Sequence, residues 1–150
     1  MLGVDISAGA VALAQENATL NDQEQICTFQ RADVFVLLRQ LQQDGERFGT
    51  IILDPPAFVK SRRKLPEALK GYLTINRRAL ELLEPGGILF SCSCSHHLDR
   101  ETFLDLLRQA GRQAGRTLRL LDMRGQAPDH PVLLNCPETE YLKAAWLRVT

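Results

Sequence analysis

Two short motifs carry the residue types best suited to covalent chemistry. The first is Leu53-Asp54-Pro55-Pro56-Ala57-Phe58, where a carboxylate ends an apolar run and two prolines follow. The prolines favour an extended loop and lack the N–H groups of a β-ladder, so the Asp54 carboxylate and the prolyl carbonyls are held at a strand end. Such a loop can grip the Watson–Crick edge of a flipped base, on which Phe58 can stack. The alternative is a turn with a capping Asp54 and a core Phe58.

The second motif is Ser91-Cys92-Ser93-Cys94-Ser95, which ends the apolar run after Gly86-Gly87. A cysteine at the carboxyl end of a strand, among small polar residues, is accessible and can act as a nucleophile. Cys94 lies nearer the following loop than Cys92, so Cys94 is the candidate nucleophile and Cys92 a packing residue. Cys27 and Cys136 are interpreted as small buried apolar residues. No pair has CxxC spacing, so we expect four reduced thiols.

Histidines near the second motif raise two other possibilities. Cys94, His96, His97 and His130 do not have zinc-ligand spacing, and adjacent histidines rarely ligate one ion, so we expect no metal. A Cys–His hydrolase dyad is an alternative. No third orienting residue or oxyanion hole is evident for it.

Two further carboxylates stand where strand-like segments pass into helix-like ones. Asp5 precedes Ser7 and a helical pattern, and Asp33 precedes the helical pattern of Val34–Gln43. At the carboxyl end of a parallel strand, an acid such as Asp5 can bind ribose hydroxyls, and Asp33 can accept a hydrogen bond from an adenine amine. The alternatives are a carboxylate that complements the helix dipole at Asp5 and an N-cap at Asp33.

The elements that must position these residues alternate between strand and helix. This alternation predicts an α/β fold with a doubly wound, Rossmann-like, mostly parallel sheet. Only a loop separates the last two strands, so we expect them to form an antiparallel pair. The predicted strands are 2–6, 26–31, 50–53, 88–93, 117–124 and 141–149. The predicted helices are 8–21, 34–43, 65–83 and 100 to about 111 or 115, with Ser7 and Asp99 as N-caps and a turn at 84–87 that ends the third helix.

Composition places the chain among ordinary globular domains. Its 150 residues are 45% hydrophobic and 24% charged, which suits one domain over residues 1–150 and excludes a disordered tail. The N-terminus lacks the pattern of a signal peptide, so we expect a cytoplasmic protein. The net charge is zero, but residues 60–78 hold seven basic side chains and one acid. This segment is either a local patch for a polyanion or a solvated helix face.

The order of these motifs resembles one enzyme family. In chain order the motifs are Asp5-Ile6-Ser7 with Asn17 and Asn21, Asp33, residues 53–58, residues 86–89, Ser93-Cys94-Ser95, and the tail segments 127–131 and 141–143. The chain is similar over nearly its whole length to the catalytic domain of class I, S-adenosylmethionine-dependent RNA methyltransferases. Within that class it resembles the bacterial family that makes 5-methylcytosine in 23S ribosomal RNA.

The resemblance implies a role for each candidate residue. Cys94 would be the nucleophile and Asp54 its catalytic partner, S-adenosylmethionine the cofactor, and 23S rRNA the partner. Asp5 would bind the cofactor ribose, Asp33 the adenine, and Asp54 and Pro55 would line the place where cofactor and base meet. The substrate-binding residues would be Pro56 and Phe58 on the loop, together with Lys60, Arg62 and Arg63, which would bind RNA phosphates.

Two parts of the family pattern are not found in this sequence. These are the first strand with its Gly-rich loop and an N-terminal RNA-binding region, so we expect a truncated domain that binds the cofactor weakly or not at all. Such a domain would be stabilised by pairing exposed strand edges or apolar surfaces, which makes a homodimer one expected assembly. Alternative functions are a catalytically silent RNA- or partner-binding module, a uracil-C5 methyltransferase and an amino-methyltransferase.

Overall fold

The structure is a computed structural model and describes residues 1–58 and 65–150. It divides into two compact units, Met1–Asp44 and Gly45–Thr150. No helix in the described ranges is both long and apolar enough to cross a lipid bilayer.

The first unit is a parallel strand pair with two helices. The elements are β1 (Leu2–Asp5), α1 (Ala8–Leu20), β2 (Thr28–Arg31) and α2 (Val34–Gln43). Strand β1 pairs with β2 in parallel, so the carboxyl ends of both strands lie at the same edge. Both helices begin at side chains that accept a backbone hydrogen bond, Ser7 from Ala10 and Asp33 from Phe35, which satisfies donors in the first turn.

The second unit is a four-stranded sheet with two long helices. Its elements are β3 (Phe48–Leu53), α3 (Leu65–Leu82), β4 (Leu83–Ser93), α4 (Arg100–Gln113), β5 (Leu118–Arg124) and β6 (Lys143–Val149), with a 3₁₀ turn at Pro137–Thr139. The strand order is β3-β4-β6-β5. Strands β3 and β4 are parallel, and β6 runs antiparallel to both β4 and β5. Three of the four strands therefore share one direction, and β6 is reversed.

The two faces of this sheet differ in burial. Helices α3 and α4 pack on the face that includes Leu89 and Leu147, which are almost fully buried. The neighbouring positions on the opposite face are more accessible, with Ile52 68% exposed and Trp146 46% exposed. Because side chains alternate along a strand, this difference assigns each residue of β3, β4 and β6 to a face.

The α/β prediction is confirmed, and so is the antiparallel pairing of the last two strands. Four strands begin two or more residues away from the predicted start: β3 begins at Phe48 and β6 at Lys143, and β2 and β4 differ as follows. Strand β2 begins at Thr28 because the amides of Ile26 and Cys27 bond to the Gln23 carbonyl in a turn, so Cys27 lies outside the strand. Strand β4 begins at Leu83, and the predicted turn 84–87 lies within a pairing irregularity that Gly86 accommodates at φ 82°.

Candidate active site at the carboxyl ends of β3 and β4

Asp54 lies directly beyond the end of β3. Leu53 is buried and pairs with Ser91 of β4, whereas Asp54 is exposed. Pro55 and Pro56 follow, and neither has an N–H group with which to continue the ladder. Because β3 and β4 are parallel, Asp54 lies at the sheet edge where β4 also ends. The predicted position of Asp54 at a strand end is confirmed.

Cys92 and Cys94 lie at that same edge with different exposure. Cys92 is 5% exposed, and Cys94 is half-buried just beyond the last residue of β4. Burial, with a smaller contribution from the negative charges of Asp54 and Cys94, raises the pKa of the Cys92 thiol to about 11. Cys92 is therefore a protonated packing residue at neutral pH, as the sequence predicts. Asp54 lies close enough to Cys92 to influence its charge.

Three serines that alternate with these cysteines are tied to helix α3. Ser91 Oγ donates to Asn76 Oδ1 at 2.7 Å, and Ser93 Oγ donates to the Tyr72 hydroxyl at 3.1 Å. The Ser95 hydroxyl lies 3.1 Å from the same Tyr72 oxygen. All five residues are buried, so these bonds fix the backbone on both sides of Cys94.

The serine network was not predicted from the sequence. The available signals were the serines at alternate positions and the i, i+4 spacing of Tyr72 and Asn76 on one helix. Neither signal indicates that helix and strand ends face each other, because at least 15 residues separate each bonded pair.

A buried lysine lies on the strand next to this network. Lys143 is 7% exposed and pairs with Ser93 across β4 and β6. Its ammonium group donates to the carbonyls of Ser95 and Tyr141, both at 2.7 Å. Burial lowers the pKa of Lys143, whereas the charges of Cys94, Asp99 and Glu140 oppose that shift. The sequence analysis did not single out Lys143 as a site residue.

The rest of the proline-containing loop is only partly described. Phe58 is half-buried, and its ring centroid lies 4.6 Å from that of Tyr72 at an interplanar angle of 48°. Phe58 thus packs on the helix side of the site, as in the core interpretation of this residue. Pro55 is half-buried and Pro56 is exposed. The predicted phosphate-binding residues Lys60, Arg62 and Arg63 lie outside the described residues.

In the first unit, Asp5 and Asp33 lie at the carboxyl ends of β1 and β2. Oδ1 of Asp5 accepts from the Ser7 amide at 2.7 Å, and Oδ1 of Asp33 accepts from the Phe35 amide at the same distance. Both residues are exposed. The N-cap interpretation of Asp33 is confirmed. Each bond engages one carboxylate oxygen, so the second oxygen of each group is chemically suited to a ribose hydroxyl or an adenine amine.

The histidines do not converge on the site. His96 and His130 face the ring of Tyr141, at centroid distances of 6.0 and 6.3 Å. Among the described residues no three histidine, cysteine or acidic side chains are grouped as metal ligands would be. An open pocket of about 220 Å³ lies between His96, Arg124, Glu140 and Lys143. It borders Lys143 but includes neither Asp54 nor Cys94, so we place the candidate site by the strand ends rather than by this pocket.

Comparison with known proteins agrees with this geometry. The chain is 43% identical over 150 residues to ribosomal RNA large subunit methyltransferase I of Serratia proteamaculans, and 40% identical over 149 residues to that of Aeromonas hydrophila. Each alignment covers 99% of this chain, and the chain spans 38% of the length of each relative. No family model matches the chain.

Solved structures extend the likeness to the fold. A Streptococcus mutans protein assigned as a SAM-dependent methyltransferase superposes with a TM-score of 0.84 at 21% identity, over 99% of this chain and 38% of that one. An O-methyltransferase from Bacillus cereus, in complex with SAH, superposes with a TM-score of 0.63 at 11% identity, over 99% of this chain and 62% of that one. This chain has a methyltransferase-type α/β fold. At these identities the superpositions establish its architecture alone.

Proposed function

We propose that the chain is the catalytic part of an S-adenosylmethionine-dependent RNA methyltransferase. The observation that carries the proposal is that Asp54 and Cys94 each lie just beyond the carboxyl end of one of the adjacent parallel strands β3 and β4. Ligands of open α/β sheets bind at this edge. The similarity to ribosomal RNA large subunit methyltransferases supports ribosomal RNA of the large subunit as the substrate, and 23S rRNA is the target that we propose.

The residues of the first unit fit the proposed cofactor. Asp5 and Asp33 follow adjacent parallel strands, and each offers a carboxylate oxygen beyond the one bonded to the backbone. We assign Asp5 to the ribose hydroxyls and Asp33 to the adenine amine. When bound, S-adenosylmethionine supplies an electrophilic methyl group. Asp54 and Pro55 are assigned to the place where that methyl group meets the base.

The proposed target atom is carbon 5 of cytosine, which explains the need for a thiol. Carbon 5 is a poor nucleophile until the Cys94 thiolate adds to carbon 6 and makes the ring enamine-like. Asp54, placed in its protonated form against ring nitrogen 3, would donate a proton to that nitrogen as the thiolate adds, so that the ring of the adduct carries no negative charge. Carbon 5 then takes the methyl group, a base removes its proton, and Cys94 leaves from carbon 6. The residue acting as this base is not assigned.

RNA contacts are proposed for the loop after Asp54. Pro56 is exposed next to the carboxylate, and Phe58 is half-buried against Tyr72 with part of its surface accessible. Lys60, Arg62 and Arg63 supply positive charge directly after this loop in the sequence, as phosphate contacts require. A homodimer is an additional expectation about assembly that the catalytic proposal does not require.

Calorimetric titration with S-adenosylmethionine tests the cofactor first. We expect binding to this chain or to a longer one that includes it, and weaker binding in Asp5→Ala and Asp33→Ala. If neither this chain nor a longer one that includes it binds the cofactor, the proposal fails and the silent binding module becomes the better hypothesis.

Methylation of unmodified 23S rRNA tests the reaction itself. With labelled cofactor, we expect 5-methylcytidine after nuclease digestion, and loss of at least about 10³-fold in rate for Cys94→Ala. Cys136→Ala is the matched control, since Cys136 lies in the loop before the 3₁₀ turn. RNA containing 5-fluorocytidine should trap the Cys94 adduct, because fluorine replaces the proton that must leave. Full activity of Cys94→Ala would indicate an amino-methyltransferase instead.

A further inference from the structure

The buried ammonium group of Lys143 has no carboxylate partner at contact distance. No ion pair in the described part of the chain includes it, and every acidic residue of the chain lies in that part. Its two bonds go to neutral carbonyls, those of Ser95 and Tyr141. Burying a cation is unfavourable, and neutral acceptors compensate only in part. Methionine or leucine would fill such a position at lower cost, so the charge itself requires an explanation.

The location of Lys143 connects this charge to Cys94. Lys143 pairs in register with Ser93, and its Nζ reaches the carbonyl of Ser95. These contacts lie on the two residues that flank Cys94. The charge of Cys94 also opposes the lowering of the Lys143 pKa by burial.

The backbone that carries Cys94 is fixed independently of Lys143. The Tyr72 hydroxyl contacts the hydroxyls of both Ser93 and Ser95, and the Ser95 amide donates to Ser93 Oγ at 3.3 Å. The Ser95 carbonyl that accepts from Lys143 therefore belongs to a segment that is held in place by other bonds. A fixed cation beside a thiol stabilises its thiolate form.

We propose that Lys143 is a positioning residue: its ammonium group, anchored on the Ser95 carbonyl, supplies a positive charge next to the Cys94 segment that makes the Cys94 sulfur more reactive as a nucleophile. This inference rests on the proposed role of Cys94 as the nucleophile. It adds a residue on β6, 49 positions further along the chain, to a site otherwise built from the ends of β3 and β4.

Several other charged groups surround the pair and belong in the interpretation of any pH profile. Around Lys143 these groups are Asp99 and Glu140, and His96, Arg100 and Arg124 border the same pocket. On strand β4, the titratable group nearest to Cys94 in sequence is the Cys92 thiol, whose pKa is raised in part by Asp54 and Cys94. Among these groups, Lys143 donates a hydrogen bond to the carbonyl of Ser95, the residue next to Cys94.

The test measures alkylation of Cys94 by iodoacetamide across pH, located by peptide mass spectrometry on the full chain. Lys143→Gln removes the charge but keeps amide N–H donors for the two carbonyls, and Lys143→Met removes both. We expect both variants to alkylate Cys94 about three- to tenfold more slowly at pH 7, with the profile moved to higher pH. Lys143→Arg should restore most of the rate. An unchanged profile in Lys143→Gln overturns the proposal.

Two controls separate charge from structure. Tyr72→Phe disturbs the same segment without removing a cation, so its pH profile should keep its midpoint. Lys70→Met removes an exposed lysine on α3 and should change nothing. If the Lys143 variants do not fold, the proposal can still be tested on the natural chain. Relative to N-acetylcysteine amide, Cys94 should prefer anionic iodoacetate over neutral iodoacetamide, and no preference contradicts the proposal.

Alkylation needs neither cofactor nor RNA, so the two proposals fail separately. If Cys94→Ala loses methyl transfer but Lys143→Gln keeps an unchanged alkylation profile, the methyltransferase proposal stands and the proposed role of Lys143 is rejected. A shifted alkylation profile together with full activity of Cys94→Ala shows a lysine-activated thiol and rejects the thiol-dependent reaction.

Discussion

At the scale of single residues, Cys92 and Cys94 lie on either side of Ser93, the last residue of strand β4. Cys92 lies within β4 and is almost fully buried, whereas Cys94 lies beyond it and is half-buried. Residue type and spacing predicted which of the two would be available for chemistry. They could not predict the charges around each thiol, which come from β3 and β6.

This difference predicts selective modification. Because the pKa of Cys92 is raised to about 11, its thiol stays protonated until pH rises above the usual range for cysteine. At pH 8 we expect iodoacetamide to modify Cys94 at least about tenfold faster than Cys92. Mass spectrometry of the shared peptide measures both rates. Equal rates at the two cysteines would count against the assignment of Cys92 as a packing residue.

At the scale of elements, the N-cap of α4 offers a clear test of local stability. Asp99 accepts from the Thr102 amide at 2.8 Å, and this bond lowers the pKa of the Asp99 carboxyl below its usual 3.8. Asp99→Ala should lower the free energy of unfolding by about 1 kcal/mol near neutral pH, whereas Asp99→Asn keeps a capping acceptor and most of that stability. Urea denaturation measures both variants.

The same cap has a defined pH dependence. Because the pKa of Asp99 is lower in the folded chain, its contribution is present above the unfolded value and is lost as pH falls through the lower folded value. The stability of the natural chain should therefore decline at acid pH more steeply than that of Asp99→Asn. Parallel slopes in the two chains would contradict the capping bond.

Gly111, in the last turn of α4, makes a second prediction at this scale. A Cβ atom there would lie 2.9 Å from Leu118 Cγ and 3.2 Å from the Arg116 carbonyl oxygen. Gly111→Ala should therefore lower the free energy of unfolding by about 1–3 kcal/mol, despite the better helix propensity of alanine. Gly9→Ala in α1 is the matched control, since its nearest neighbour would be Ser7 Oγ at 3.8 Å. It should be neutral or stabilising, as thermal unfolding will measure.

Elements with local signals were predicted well. The N-caps Ser7, Asp33 and Asp99 and the bounds of α2 follow from capping chemistry and apolar spacing within a few residues. The start of β4 was not predictable. Residues 84–87 have the composition of a turn, and only pairing of Leu83 with Phe48 of β3 extends the strand through them.

At the scale of the whole molecule, the uneven charge distribution predicts the salt dependence of RNA binding. The chain is neutral overall, but residues 60–78 carry seven of its 18 basic side chains. Replacing both Arg62 and Arg63 by Gln should weaken binding at all sequences. It should also reduce the slope of log affinity against log salt by about 1.4, or 0.7 for each lost phosphate contact. Filter binding at several salt concentrations measures the slope.

Arg119→Gln together with Arg148→Gln is the control for that experiment, because these exposed arginines lie on strands β5 and β6 outside the basic segment. An equal loss of RNA affinity in both double variants would mean that binding depends on the total charge of the chain rather than on the basic segment after Asp54.

The sequence by itself determined the order and type of the elements, the helix caps and the placement of Asp54 and Cys94 at strand ends. These features depend on residues a few positions apart, whose spacing fixes periodicity, capping and turns. Only the tertiary structure decided that β6 lies between β4 and β5, that Tyr72 bridges Ser93 and Ser95, and that Lys143 is buried beside Cys94. Lys143 bonds to Ser95 across 48 residues of chain. No local pattern records such a contact, because it forms only when the strands pair.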